Sequence, residues 1–385
     1  MKASYLVGPT LLDSVLPLAA PRRADRRPLR SASPCEARRQ TTAADSGTGR
    51  DRRLPHRNKL HSACCATLAV GTVVTFLGLA TVVAAQQKTG ELDVLQVQGN
   101  VYLIAGAGGN ITVQLGSLGV AVVDTGSGAM SNQVIAAIRK LSDKPLQYII
   151  NTHYDPDYTG GNEAIRKAGT TITGANVTGN LTDATEGAQI IAHDNVLARM
   201  SAPTGKQSPT PPDSWPTSTF LHGKRDLFFN DEPIEVIYQP AASTDGDSLV
   251  FFRHSDVISA GGIFLTTSYP YIDVDKGGSV QGEIAALNKL LEIAVPRHEE
   301  EGGTYIIPGR GRVCDEFDVL EYRDMVVIVR DRVRDAIQKG MTLDQVKEAH
   351  LTRDYDARYS AKSGLGSADG FIEAVYRSLA AAKKK

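Results

Sequence analysis

The sequence has few cysteines and no internal repeat, and both absences narrow the choice of fold. Four cysteines occur in 385 residues, and only Cys314 lies beyond residue 85. A single thiol makes no internal disulfide, so folding of that part of the chain does not depend on oxidation. No fixed repeat period is present, which argues against a solenoid or a propeller. A hydrophobic content of 42% over this length excludes wholesale disorder.

The chain has almost no net charge, but its basic and acidic residues are unevenly distributed along the sequence. Residues 1–62 contain 13 Lys and Arg against 5 Asp and Glu, and the remainder contains 29 against 38. A mildly acidic body is a poor ligand for the phosphate backbone of nucleic acids. We therefore expect no nucleic-acid partner, and no feature of the sequence specifies an oligomeric state.

Residues 1–57 lack an apolar period and contain basic runs at 22–27 and 50–53. We predict a disordered basic extension over this stretch. Two interpretations are open, namely a basic arm or an artefactual extension that arises from a misassigned start codon. The second is weakened because no Met lies between Met1 and Met130.

Residues 58–85 have the features of an export signal. Arg57 and Lys59 supply a positive flank, and no charged residue occurs from 63 to 85. Small residues end the run at Ala85, where a signal peptidase would cleave, and polar residues follow. We predict a cleaved signal peptide and an exported protein, periplasmic or extracellular. The alternative is an uncleaved anchor, because the run is about as long as a membrane span. In that case we expect the protein to contact a membrane only through this uncleaved segment.

Residues 86–315 alternate strand and helix patterns, which is typical of an α/β domain. A continuous apolar run predicts a buried strand at 120–123. Apolar residues spaced three and four apart predict helices at 131–141 and 282–293. The patterns of residues 316–385 are helical, and we predict a helical C-terminal extension there.

The loop after a predicted strand at 148–151 carries a metal-binding pattern. From residue 152 it reads Thr-His-Tyr-Asp-Pro-Asp-Tyr-Thr-Gly-Gly-Asn. This resembles the loop Thr-His-x-His-x-Asp-His, followed by Gly-Gly-Asn, of the metallo-β-lactamase superfamily. Further blocks that resemble those of the superfamily follow its order, at residues 122–126, 243–248, 261–264 and 307–311. The resemblance implies an αβ/βα four-layer sandwich with its site at one edge of two packed sheets.

The resemblance also implies which positions would hold two metal ions. They are His153, Asp155 and Ser243 for the first metal, and Asp157, Tyr158 and Arg310 for the second, with Gly262 in place of the bridging aspartate. His153 and Asp157 are the residues that match the superfamily's ligands. Asp124, at the end of the block at 122–126, would hold the metal loop in place, would cap the strand end as a turn residue, or would do both.

The replaced ligands argue against zinc hydrolysis. A catalytic zinc needs three protein ligands and a water molecule, and the superfamily's reaction uses a metal-bound hydroxide. Neutral Ser and Tyr hydroxyls are poor zinc ligands, and Arg310 has no lone pair to donate. We therefore predict an exported protein with a degenerate metal site and no cofactor. Such a protein would be non-catalytic or would bind a small-molecule ligand.

The alternative is a working hydrolase with a rearranged single-metal site. His153, Asp155 and Asp157 would hold one divalent ion, either zinc or a harder ion that prefers oxygen ligands. Asp157 would be the catalytic residue in that case. By resemblance the chain is a hydrolase, so the sequence leaves open whether it is an enzyme.

A site that loses its metals must balance its carboxylates in another way. Asp155 and Asp157 lie two residues apart, and unpaired charges near a cavity floor are costly. We expect the Arg310 guanidinium to bridge Asp157, with Asp155 as a further partner, and the alternative is that Arg310 points to solvent. On this view the pair is buried, and Arg310→Ala should destabilise the fold much more than Arg312→Ala.

The predicted signal can be tested directly. We expect N-terminal sequencing of the secreted protein to begin at Gln86, because the small residues at 83–85 fit signal peptidase. Full-length protein retained in the membrane would instead support the anchor.

Overall fold

The computed structural model describes residues 91–172, 185–203, 209–298 and 302–382. The predicted basic extension at 1–57 and the predicted signal peptide at 58–85 lie outside these residues. Within them, no helix has both the length and the apolar character needed to cross a membrane.

The described residues contain strands from Asp93 to Arg310. In chain order they are β1 (Asp93–Gln98), β2 (Val101–Ala107), β3 (Gly109–Leu115), β4 (Val120–Val123), β5 (Leu146–Ile150), β6 (Thr171–Ile172), β7 (Thr185–Glu186), β8 (Gln189–His193), β9 (Ser218–Phe220), β10 (Lys224–Phe229), β11 (Glu232–Gln239), β12 (Asp247–Phe252), β13 (Val257–Leu265) and β14 (Tyr305–Arg310).

The helices lie between the strands and after the last of them. They are α1 (Ser131–Leu141), α2 (Pro156–Thr159), α3 (Asn162–Ala168), α4 (Asp194–Ser201), α5 (Val280–Ile293), α6 (Glu316–Gln338), α7 (Leu343–Glu348), α8 (Asp356–Tyr359) and α9 (Ala368–Ala382).

Two main sheets form the framework. The first has the order β1-β2-β3-β4-β5-β8-β9, and the second has the order β10-β11-β12-β13-β14. β1 to β4 pair antiparallel, whereas β4, β5, β8 and β9 pair parallel. In the second sheet only the β13–β14 pair is parallel among the described strands. The carboxyl ends of β4, β5 and β14 carry the loops of the candidate site.

The two sheets pack face to face through a buried apolar cluster. Val123 and Ile150 of the first sheet and Val236 and Phe252 of the second belong to this cluster. Strands buried on both faces are expected to be apolar along their whole length, and β4 is buried at all four positions. The inner layer of the fold is therefore fixed by the continuous apolar runs that the sequence shows.

Helices cover the outer faces of both sheets and complete four layers. α1 and α3 cover the first sheet through Val134, Ile138 and Ile165. α5, α6 and α9 cover the second sheet and share its buried cluster, to which Leu287 and Tyr322 belong. The predicted four-layer αβ/βα sandwich with a helical C-terminal region is confirmed. The domain limit predicted at residue 316 stays a prediction, although α6 begins there.

Most predicted elements are present with small changes at their ends. The strand at 120–123 and the helix at 131–141 have the predicted bounds. The helix predicted at 282–293 begins two residues earlier, because the Ser279 hydroxyl accepts a hydrogen bond from the Gly282 N–H and caps it. The sequence analysis missed β6 to β10, α2 and α4, which are short or flank a Pro- and Ser-rich stretch at 201–217.

Close packing brings α5 against the turn before β12. A Cβ atom at Gly282 would lie 1.8 Å from the carbonyl oxygen of Ala241. Only glycine permits this approach, which carries the next residue of the helix, Glu283, towards the candidate site.

Candidate functional site

The candidate site lies where loops from both sheets meet, and Asp124 holds one of these loops. Asp124 follows β4 with a left-handed backbone (φ 61°), which Asp tolerates better than most residues. Its carboxylate accepts the Thr152 N–H at 2.8 Å and the Thr152 hydroxyl at 2.7 Å. Burial raises the pKa of Asp124 to about 7, although the Thr152 bonds and the charge of His153 oppose the rise. Asp124 thus fixes the backbone that presents His153.

His153 lies buried between two carboxylates. Its Nδ1 is 2.5 Å from Asp247 Oδ1, and its Nε2 is 3.1 Å from Asp155 Oδ2. Burial alone would lower the pKa of His153, but the charge of Asp247 and the bond and charge of Asp155 outweigh burial and raise the pKa to about 10. The imidazolium form therefore balances two negative charges.

Asp247 also fastens the turn that precedes β12. Its Oδ2 accepts the Thr244 N–H at 2.6 Å, and its Oδ1 lies 3.2 Å from the Thr244 hydroxyl. The loop after β5 and the turn before β12 are thereby joined through one carboxylate. The sequence analysis saw Asp247 only as part of the block at 243–248, because its link to His153 spans 94 residues.

Asp155 and Tyr154 are the more exposed neighbours of His153. The side chain of Asp155 is 39% exposed, so it reaches solvent as well as His153. Burial would raise the pKa of Asp155, but hydrogen bonds from His153 and Tyr154 and the charge of His153 hold it below its ordinary value. The ring of Tyr154 lies 5.0 Å from that of His153 and packs with Trp215 against a small apolar cluster.

The positions of the second metal are joined by an ion pair. Arg310 donates through Nη2 to Asp157 Oδ2 and through Nη1 to the Gly108 carbonyl at 2.7 Å. The predicted pairing of Arg310 with Asp157 is therefore present, but its other arm bonds a backbone carbonyl rather than Asp155. The Arg310 and Asp157 side chains are 29% and 49% exposed. The prediction of a buried pair was wrong, since both groups lie at the rim where water screens them.

Tyr158 lies beside Gly262 and Gly309. The residue is buried, and its hydroxyl lies 3.6 Å from where a Cβ of Gly262 would stand and 2.6 Å from that of Gly309. Burial raises the pKa of Tyr158, so the side chain is a neutral phenol. Tyr158 thus faces both glycines with its neutral hydroxyl, which is a poor metal ligand.

Ser243 contacts a carboxyl group that the sequence analysis missed, that of Glu283. The Ser243 hydroxyl donates to the Gly262 carbonyl at 3.2 Å and lies 3.5 Å from Glu283 Oε2. Glu283 is fully buried, and burial and the charge of Asp247 raise its pKa well above the ordinary value. The sequence does contain a signal that Glu283 is buried. Glu283 precedes the buried Leu287 and Leu290 by four and seven residues, so it lies on the same face of the helix.

The donor set does not fit a dinuclear zinc centre. Both ring nitrogens of His153 face carboxylates, Arg310 places a permanent cation beside Asp157, and Gly262 offers no side chain. Among the described residues, no three His, Cys, Asp or Glu are arranged so that they could hold a metal ion. The alternative set of His153, Asp155 and Asp157 is only partly assembled. His153 contacts Asp155, whereas Asp157 pairs with Arg310.

Comparison with known proteins agrees with this architecture. The family model of the metallo-beta-lactamase superfamily matches residues 94–298, which is more than half of the chain. The chain belongs to the metallo-β-lactamase superfamily. The resemblance seen in the sequence is thus confirmed.

Relatives of the chain include alkylsulfatases. A linear primary-alkylsulfatase of Pseudomonas sp. (strain ATCC 19151) is 23% identical over 259 residues, which are 60% of this chain and 47% of that protein. The solved stereoselective inverting sec-alkylsulfatase Pisa1 from Pseudomonas sp. is 15% identical, with a TM-score of 0.51, and the match covers 74% of this chain and 50% of that one. A double mutant of the sec-alkylsulfatase PisA1 has a TM-score of 0.53 at 14% identity, over 74% of this chain and 50% of that one. The chain spans about half the length of these relatives.

The Arg310–Asp157 pair should contribute little to stability. We expect Arg310→Ala to lower the free energy of unfolding by about 1 kcal/mol, because the pair is half-exposed. Asp157→Asn combined with Arg310→Ala should cost about 0.5 kcal/mol less than the sum of the single changes. Urea unfolding of the four proteins measures this coupling.

The control for this double-mutant cycle is Arg332. Arg312 is not suitable as the control, because it is itself paired with Asp318. Arg332 likewise donates to one carbonyl, that of Leu351, and to one carboxylate, that of Asp354. Arg332→Ala should be additive with Asp157→Asn. Full additivity of Arg310→Ala with Asp157→Asn would contradict the ion pair.

His153 should make stability depend on pH. Its pKa of about 10 lies above the ordinary 6.5, so its stabilising charge is fully present below about pH 6.5 and is lost as the pH rises to 10. We expect the free energy of unfolding to fall over this range by on the order of a few kcal/mol more in the wild type than in His153→Gln. Urea unfolding at pH 6.5 and pH 10 tests this. Equal pH dependence of the two proteins would mean that His153 is not an imidazolium.

Proposed function

We propose that this chain is an exported, ligand-binding member of the metallo-β-lactamase superfamily that does not carry out zinc hydrolysis. The export part of the proposal is supported by the positive flank, the uncharged run and the small residues at 83–85. The binding part is supported by the polar groups at the rim of the site.

One observation carries the proposal: a permanent protein cation stands at the second metal position, where Arg310 pairs with Asp157. Because the guanidinium already balances this carboxylate and has no lone pair to donate, a zinc ion would have to displace Arg310 before it could bind. At the first metal position, both ring nitrogens of His153 contact carboxylates, those of Asp155 and Asp247.

The ligand would meet the half-exposed rim of the site. The side chains of Asp155 and Asp157 are 39% and 49% exposed. The Arg310 side chain is 29% exposed, so a ligand can reach both its guanidinium and the Asp157 carboxylate paired with it. The half-buried Tyr154 adds an aromatic ring beside them. The relatives are named for alkylsulfates, so an organic sulfate is the first ligand class to screen. Its anionic head would compete with Asp157 for Arg310.

A second candidate is a hydrolase with a single metal ion. It is favoured by the bond between His153 Nδ1 and Asp247, because metal-ligating histidines commonly bond a carboxylate through the nitrogen that faces away from the metal. Nε2 and Asp155 would then be two of the ligands. The pairing of Asp157 with Arg310 speaks against Asp157 as the third.

Zinc analysis of the purified protein separates the two candidates. We expect well below one zinc per chain, and no change in His153→Ala. Restoring the superfamily's ligands with Asp155→His, Tyr158→His, Ser243→His, Gly262→Asp and Arg310→His should raise zinc affinity by orders of magnitude. Gly262 has room for this change, since its Cβ would meet nothing closer than 3.6 Å.

The restored variant is also the positive control for the assay. Near-stoichiometric zinc in the wild type that disappears in His153→Ala would overturn the proposal and favour the single-metal hydrolase. A folded restored variant without zinc would show that the loops, and not only the ligands, have departed from the superfamily.

A further inference from the structure

The first sheet ends in β1, whose outer edge pairs with no other strand among the described residues. β1 pairs with β2 and stands last in the order of its sheet. A terminal strand presents N–H and C=O groups that a strand of another chain can bind. Val94 and Leu95 of β1 are 44% and 53% exposed, so apolar side chains accompany these backbone groups. The edge is therefore open to association.

β1 lacks the charged side chains that usually protect an edge strand. Proteins commonly place Lys, other charged residues or Pro on such strands, because these residues oppose pairing with another chain. After Asp93, β1 reads Val-Leu-Gln-Val-Gln, and the next charged residue along the chain is Asp124. β10, a terminal strand of the second sheet, instead begins with Lys-Arg-Asp. Of these two edges, β1 is the one that its sequence leaves without charge.

The second sheet extends the apolar surface of this edge. Leu95 lies opposite Leu103 of β2, which belongs to the buried cluster between the sheets. Tyr305 of β14 lies beside Val257, which belongs to the same cluster, and Tyr305 is 40% exposed. β14 bonds β3 through a side chain, and β12 contacts β8, so the terminal strands β1 and β14 border the same side of the sandwich. On this side the apolar inner layer reaches solvent through Leu95 and Tyr305.

We propose that two copies of this chain associate at this edge, with β1 of one copy antiparallel to β1 of the other. A two-fold interface brings the same surface of both copies together, so that surface must be complementary to itself. With the two-fold axis at Leu95, each Leu95 faces its counterpart, and Val94 faces Gln96. Asp93 then lies level with Val97, and the two Asp93 residues are about 13 Å apart along the strands. No like charges meet in this arrangement.

The charges around the edge also favour a second copy as the partner. In a two-fold contact a patch of one sign would repel its own counterpart, whereas a neutral patch does not. The bridge between Ile306 and Cys314 brings Asp315 beside Tyr305, and Asp315 Oδ2 lies 3.5 Å from Arg297 Nη1. The charges that flank Tyr305 therefore balance each other, and two copies can share this apolar surface without repulsion.

The regular part of β1 is short, which limits the strength of the contact. A bulge lies between Gln96 and Gln98, so regular pairing is available over Asp93–Gln96. Small contacts of this kind give weak, reversible complexes. We therefore expect a dimer that dissociates on dilution. The residues of the candidate site lie outside this edge, so the inference does not depend on the proposed ligand-binding function.

Analytical ultracentrifugation of the purified chain tests the association. We expect dimers at about 100 μM and mostly monomers at about 1 μM, as for a weak interface. Leu95→Lys should weaken the association at least tenfold, because it places two like charges at the two-fold axis. Phe228→Lys is the matched control, since Phe228 is a 69% exposed apolar residue of another terminal strand, β10. It should leave the dissociation constant unchanged.

Cross-linking gives a second readout that does not depend on the folding of Leu95→Lys. The two Leu95 Cβ atoms would lie about 5 Å apart across the axis, so a short bismaleimide should join two copies of the Leu95→Cys variant and should not join Phe228→Cys. The wild type measures the background from its own cysteines. A monomer at every concentration, a Leu95→Cys yield at background, or a dimer unaffected by Leu95→Lys would overturn the proposal. Loss of the dimer in Phe228→Lys would also overturn it, because the contact would then lie at β10.

Discussion

Charge balance at the edge of the sandwich is the constraint on which the candidate site depends. Three carboxylates, those of Asp155, Asp157 and Asp247, belong to the loops at this edge. Such carboxylates must be protonated, paired or exposed, because an isolated buried charge costs too much. In this protein His153 is held between two of them, and Arg310 pairs with the third.

The balance depends on backbone positions that belong to both sheets. Asp124, at the end of β4, holds the loop of His153 through Thr152. Asp247, at the start of β12, holds both His153 and its own turn. The network therefore ties the first sheet to the second, and a change in one loop would disturb the charges of the other.

The inner and outer parts of the site differ in energetic weight. His153, Asp247 and Glu283 are buried, so their interactions act in a medium of low polarity and any unpaired group is costly. Asp157 and Arg310 lie at the rim, where water and salt weaken their attraction. The inner part is thus expected to govern stability, while the outer part contributes little to it.

The sequence by itself indicated the fold and the positions at which this chain differs from the superfamily's ligand pattern. Local periodicity marks which residues of β4 and α1 are buried, and short motifs in a fixed order identify the loops around His153 and Gly262. These signals are local, so they could be found along the chain. Only the tertiary structure decided the new partners, namely Gly108 for Arg310, Asp247 for His153 and Ser243 for Glu283. Those contacts join residues 202, 94 and 40 positions apart, and local sequence patterns do not encode which distant side chains a fold brings together.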